Sequence, residues 1–291
     1  MNRTAADAGH HSGAARPVDP AARGGLRAVI EGRFPQPIAR LFYALRQHPS
    51  TKEQQLTLNR IAEALARAIC MLVFGEYLAS SSDRALLDTI IKEGFTSKAS
   101  LGTLVASARR ALRQLREDGH CFIVEELATL STPSAISEAR TSVEEMLLGL
   151  APARNSTAHD GGVPIDPREW KRMVLEILES CRFLADYPLF SVESSVLQDT
   201  GQTIHTIWTF SSFHDFPERM RVHSDVQLVA GHVYLLSERS QRLLDLHPFV
   251  RAGQCDDPEM SHCAKPNHFF WLSAAERDDR GLPTRCRYLS V

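Results

Sequence analysis

The hydrophobic period of this chain changes at Tyr187. Upstream, apolar residues recur every three to four positions, as in Trp170, Met173, Val174, Ile177, Leu178, Cys181 and Leu184, which line one side of a helix. Downstream, Thr203-Ile204-His205-Thr206-Ile207-Trp208-Thr209-Phe210 alternates with the period of two that a half-buried strand requires. Tyr187-Pro188 falls at the change and ends the last helix. A chain patterned this way folds as α+β, with an N-terminal helical bundle over residues 34–186 and a smaller β-rich domain over 187–291. Residues 1–25 are rich in Ala, Gly, Arg and His, with no large apolar residue before Val18, and are expected to form a flexible tail because they cannot bury enough surface to offset ordering.

Within the helical part, Ile38, Leu41, Phe42 and Leu45 mark a first helix from Pro37 to about Gln47. Ser50-Thr51 then caps a long helix to about Ala79, striped by Leu58, Ile61, Leu65, Ile69, Leu72 and Val73. A short helix is predicted from Arg84 to Lys92, ending at Gly94. Ser97 is expected to cap the next, whose inner face is Leu101, Leu104, Val105, Ala108, Leu112 and Leu115. Pro133 should open a helix carrying Ile136, Val143, Met146, Leu147 and Leu150, and Asp166-Pro167 should start the last. Strands are predicted at Phe190–Leu197, joined by the Asp199-Thr200-Gly201 turn to the alternating segment, and at Val226–Val229, Val233–Leu236, Phe269–Leu272 and Arg287–Val291.

Thirty-three basic and 35 acidic residues leave a formal charge of −2, so nothing draws the whole molecule toward nucleic acid and any RNA site has to be a local patch. Of the six cysteines, Cys70 and Cys181 fall on apolar helical faces, where a free thiol packs as a small hydrophobe; a reducing cytoplasm is the expected location. No segment reaches the roughly 18–20 uninterrupted apolar residues of a membrane span, and no apolar signal region begins the chain. Nucleotide-binding and hydrolase fingerprints of the Gly-rich loop, nucleophile-elbow and zincin types do not occur.

Chemistry concentrates between the last two helices, in Pro152-Ala153-Arg154-Asn155-Ser156-Thr157-Ala158-His159-Asp160-Gly161-Gly162. Five residues of regular helix separate two side chains by roughly 140°, so Arg154 and His159 converge only through local irregularity or a second subunit. Pro152 and Gly161-Gly162 supply irregularity. The alternative is structural, with Arg154 and His159 pairing with Glu144, Glu145 or Asp160 to close the helix connection. A second basic feature is the row Arg109, Arg110, Arg113 and Arg116. Its roles are a solvated face paired with Glu117, Asp118, Glu125 and Glu126, or contact with RNA phosphates. Cys255, His262, Cys263 and His268 lie within 14 residues, but without a paired C-x2-C knuckle their spacing suits a surface loop better than zinc. His247-Pro248-Phe249 is expected to be a strand end with a buried Phe.

An Arg followed by a polar residue and, after four intervening positions, a His, between the last two helices of an all-α bundle, resembles the HEPN superfamily, many of whose members are metal-independent ribonucleases of bacterial defence and toxin systems. The resemblance spans roughly residues 34–186 and includes Asn155 after Arg154. It implies a homodimer that pools two Arg154–His159 pairs in one cleft and cuts RNA by 2′-hydroxyl attack, with His159 as general acid or base, Arg154 on the scissile phosphate and Asn155 orienting substrate. No metal or other cofactor is implied, and a regulatory partner protein is expected to restrain the activity. The competing expectation is a non-catalytic HEPN-type sensor or adaptor whose bundle dimerises while the β domain binds a protein, nucleic acid or small ligand. Asp160 beside His159, and Pro152 ahead of Arg154, depart from the family pattern.

Overall fold

The computed structural model describes residues 25–80, 85, 89–90, 93, 95, 100–132, 141–149, 166–214, 217–253, 268–277 and 283–290. The protein is α+β. Helices α1 (Leu26–Arg33), α2 (Gln36–Leu45), α3 (Thr51–Ala79), α4 (Leu101–Glu117), α5 (residues 143–149) and α6 (Pro167–Ser180) precede eight antiparallel strands. The long α3 begins as its sequence dictates: Ser50 Oγ accepts a hydrogen bond from Glu53 N at 3.2 Å and donates to the Glu53 carboxyl at 2.8 Å, satisfying an amide that the first helical turn leaves without a partner. From Ile61 to Tyr77 almost every residue of α3 is buried, because α2, α4, α6 and the sheet pack around it.

Strands β1 (Leu189–Leu197), β2 (Thr203–Thr209), β3 (Glu218–Ser224), β4 (Val233–Ser237) and β5 (Arg242–Asp245) form one sheet in the order β3-β2-β1-β4-β5. A second sheet contains β6 (Val250–Gly253), β7 (His268–Arg277) and β8 (Pro283–Ser290). The β1–β2 hairpin turns at Gly201, whose φ of 84° lies in the left-handed region that glycine enters without steric cost. Alternation divides the two faces of the first sheet. Leu189, Val233, Leu235, Leu244 and Leu246 enter the same continuous core as the helices, while Phe190, Val192, Ile207, Leu228 and Tyr234 form a small second core on the opposite face. On α3, Gly75 permits the close approach of the β4–β5 hairpin: a Cβ there would stand 2.9 Å from Leu246 Cδ2. Phe74, Phe95 and Phe249 close the junction, with ring centroids 5.3–5.7 Å apart.

Four details differ from expectation. Ser100, rather than Ser97, caps α4, its Oγ accepting from Thr103 N at 3.2 Å. Thr141 and Ser142, which fall between Ile136 and Val143 of the helix expected from Pro133, are not helical: Ser142 and Glu145 make a capping box that starts α5, and residues 133–140 lie outside the described ones. Val226–Val229 is a loop, because its carbonyls bond side chains instead of a neighbouring strand: His205 Nε2 meets Val226 O at 2.9 Å and Ser195 Oγ donates to Leu228 O at 3.2 Å. Strands β3, β5 and β6 were not anticipated, being short or strongly polar. Phe249 is fully buried beside the start of β6, as expected.

Candidate functional site

Arg154, Asn155 and His159 lie outside the described residues; the helices on either side of them do not. On the upstream side, Ser142 N donates to the Glu145 carboxyl at 2.9 Å and Glu145 N donates back to Ser142 Oγ at 3.2 Å. The hydrogen bonds that Ser142 N and, at 2.9 Å, Ser142 Oγ donate to the Glu145 carboxyl hold it below its ordinary range. Glu144 forms an ion pair with Arg109 on α4, and Val143 and Leu147 are buried. Downstream, the Asp166 side chain accepts from Arg168 N at 2.9 Å and Pro167 fills the first position of α6. Trp170, Val174, Ile177 and Leu178 then bury against the core. The connection that carries the Arg-His motif is therefore anchored at both ends by caps and packing. Glu144 and Glu145, two of the acids that a structural role would pair with Arg154 or His159, already have Arg109 and Ser142 as partners.

The arginine row on α4 is largely turned to internal duties. Besides the Arg109–Glu144 pair, Arg110 pairs with Glu93. Arg116 reaches Ser131 Oγ at 2.8 Å and Leu127 O at 2.9 Å, clamping the 3-10 turn Glu125–Thr129, and partial burial lowers its pKa. Only Arg113 of the four is exposed without a partner among the described residues. Three of the four acids expected to pair with this row serve elsewhere: Glu125 binds Arg239 at 3.0 Å, Glu126 accepts from Tyr187 Oη at 2.5 Å and Asp118 accepts from Gln114 at 2.8 Å.

The sheet brings together a cluster that the sequence did not announce. In the antiparallel β4–β5 register Tyr234 faces Asp245, and extending that register by two places sets His232 opposite His247. All four side chains share the face turned away from Leu235, Leu244 and Leu246. His232 Nδ1 lies 2.8 Å from the Asp245 carboxyl, and its ring stacks on His247 with centroids 4.0 Å apart and planes 9° from parallel. Asp245 also accepts from His247 N at 2.9 Å. Burial and the neighbouring His232 lower the pKa of His247, and its Nδ1 is buried with no hydrogen-bond partner among the described residues. An aspartate-oriented imidazole beside a second one whose protonation is disfavoured by burial is chemically suited to proton transfer. The plain alternative is that Asp245 and the ring stack brace the hairpin.

A third feature is a cleft of about 570 Å³ between α2, α3 and the loop after β2, lined by Pro37, Arg40, Leu41, Tyr43, Ala44, Arg60, Phe213 and His214. The loop is fixed by hydrogen bonds from Ser212 N to Phe34 O at 3.0 Å, from Phe213 N to Glu31 O at 2.9 Å, and from the Gln36 side chain to His214 O at 2.7 Å. Phe213 stacks between Tyr43 and His214, with centroid distances of 4.5 and 4.6 Å.

Among the described residues no group of three His, Cys, Asp or Glu side chains is arranged to hold a metal ion. Cys255, His262 and Cys263 lie outside them, and His268 begins β7. Burial pushes the thiols of Cys70 and Cys181 up to about 12, which keeps them protonated and unreactive at neutral pH. None of the described helices is long and apolar enough to cross a membrane. No family model, no curated protein and no solved structure matches this chain.

Proposed function

We propose that the chain is a metal-independent endoribonuclease of HEPN type, cutting RNA by 2′-hydroxyl attack in a bacterial defence or toxin-antitoxin system. What carries the proposal is the Arg154-Asn155-x3-His159 motif in a polar connection whose two flanking helices are capped and pinned to the bundle, the support that a precisely positioned loop needs. His159 exchanges the proton of the attacking hydroxyl or the leaving oxygen, since imidazole titrates near neutral pH. Arg154 holds the scissile phosphate through two N–H groups and offsets the charge that grows on its oxygens. Asn155 orients the substrate. Because Arg154 and His159 do not converge on one regular helix, two copies of the chain face each other across a two-fold axis and share the cleft. A partner protein restrains the enzyme, which works in the cytoplasm.

One observation favours the second reading, a non-catalytic sensor or adaptor. With Arg109, Arg110 and Arg116 held in internal contacts and a net charge of −2, the α4 row offers RNA one unpartnered guanidinium, that of Arg113, so the electrostatic hold on a long strand is weak. The test is cleavage by the purified chain. The ribonuclease cuts RNA but not DNA, leaves 2′,3′-cyclic phosphate ends and works in excess EDTA. Arg154→Ala and His159→Ala each lower the rate by about 10²-fold or more with the melting temperature unchanged. Full activity in both variants, or loss in EDTA with recovery on adding metal, refutes it and leaves the adaptor.

A further inference from the structure

We propose that the cleft between α2, α3 and the loop after β2 binds a nucleoside phosphate. Its walls divide into the two chemistries that such a ligand presents. Arg40, on α2, and Arg60, on α3, both line the cleft, and among the described residues no carboxylate lines it. Arg60 is exposed and makes no ion pair among the described residues, so its guanidinium is available to a phosphate, which it matches with a planar fork of donors. Beside the arginines runs the aromatic ladder of Tyr43, Phe213 and His214. Its end at His214 is exposed, and a purine or pyrimidine ring extends the stack there. Pro37, Leu41 and Ala44 supply an apolar floor, and a cleft of about 570 Å³ falls within the size range of small-ligand sites.

Pre-organisation is what separates this cleft from a chance meeting of surface groups. Phe213 and His214 belong to a loop, yet two hydrogen bonds donated by its backbone amides and one that His214 O accepts from the Gln36 side chain fix it to α1, α2 and the segment between them. The ladder therefore stands in place before a ligand arrives, and little ordering is charged against binding. The proposal does not rest on the ribonuclease reading: it concerns different residues and is read by binding rather than cleavage.

The experiment titrates the full-length chain by calorimetry with ADP, with a short single-stranded oligouridylate and with inorganic pyrophosphate, in the wild type and in Arg60→Ala, Arg60→Lys and His214→Ala. ADP or the oligonucleotide is expected to bind, about tenfold or more weakly in Arg60→Ala, with partial rescue in Arg60→Lys. His214→Ala should weaken ADP while leaving pyrophosphate unchanged. Binding of ADP alone, or more tightly than the oligonucleotide, identifies a free nucleotide as the ligand, and binding of the oligonucleotide alone or more tightly identifies a nucleotide within a strand; either supports the site. Binding of neither up to millimolar concentration, affinities unmoved by Arg60→Ala, or pyrophosphate binding as tightly as ADP would overturn it. Arg60 projects from the surface of α3, so an unchanged melting temperature certifies the variant's fold.

Discussion

Glu76 is a fully buried carboxyl in the middle of the core. Its Oε1 accepts from Ile123 N at 2.8 Å and Val124 N at 2.7 Å, and its Oε2 lies 2.9 Å from His120 Nε2. One side chain on α3 thus closes the backbone of the segment that leaves α4, where Ile123 and Val124 are themselves buried. Glu76→Ala leaves two buried N–H donors without partners, at about 1–3 kcal/mol each, and the truncated side chain adds a small cavity. The expected loss is roughly 3–6 kcal/mol, a large share of the ~5–15 kcal/mol that holds a protein folded. At roughly 2 °C per kcal/mol for a chain of this length, the melting temperature falls by about 6–12 °C. Glu76→Gln keeps an oxygen for both amides, while His120 can meet the new amide by changing tautomer, so its loss should be less than half as great. Urea unfolding followed by circular dichroism measures both variants, and hydrogen exchange at Ile123 and Val124 reports whether those amides have opened. If Glu76→Ala costs under about 1 kcal/mol, below even one unsatisfied donor, or if Gln is as damaging as Ala, this account of the side chain is wrong.

His247 resists protonation in the folded protein, first through burial and then through the charge of its stacked neighbour His232. Its folded pKa lies below the unfolded one, so its contribution is intact above the ordinary histidine range and is lost as pH falls through that range toward the folded value. Chemical denaturation between pH 7.5 and 5 (about the window of unperturbed histidine) should show stability falling with acid and the fall reduced in His247→Gln; identical slopes would exclude His247 as a source. Trp170 is fully buried and its indole N–H has no partner among the described residues. Trp170→Ala should cost about 3–5 kcal/mol, whereas Trp170→Phe, which keeps an aromatic ring and removes the unpaired donor, should cost less than half of that; similar losses in the two variants would mean that the N–H is satisfied in solution.

The legible parts of the chain were those whose physics is local. The Ser50 cap, the stripe of α3 and the Asp166-Pro167 start of α6 each depend on residues within a few positions of one another, and each stands where its own residues put it. The same holds for the β1–β2 hairpin, whose alternation and Gly201 turn define both strands. Ser142 shows the limit of pattern alone. Apolar periodicity runs through it, yet its hydroxyl accepts from Glu145 N and the Glu145 carboxyl accepts from Ser142 N, and the helix α5 starts there.

What the sequence withheld depends on register, which no local pattern encodes. Glu218-Arg-Met-Arg-Val-His-Ser224 looks like a polar loop, and becomes β3 because the edge of β2 offers it seven partners in line. His205 sits in a strand whose alternation marks it for the same face as Ile207, but its burial depends on Val226 and Leu228 folding over that face and bonding His205 and Ser195. His232 and His247 are fifteen residues apart with unremarkable neighbours; they stack because a four-residue ladder fixes Tyr234 against Asp245. A slip of β5 by one residue along β4 would turn Asp245 and His247 toward the core and Leu244 and Leu246 out of it, leaving His232 alone on the other face. The core contact of Leu246 with Gly75 on α3 blocks that slip. A small residue in a helix thus determines which face of a hairpin carries its titratable groups, and the cluster would be lost with the packing even if every one of its own residues were kept.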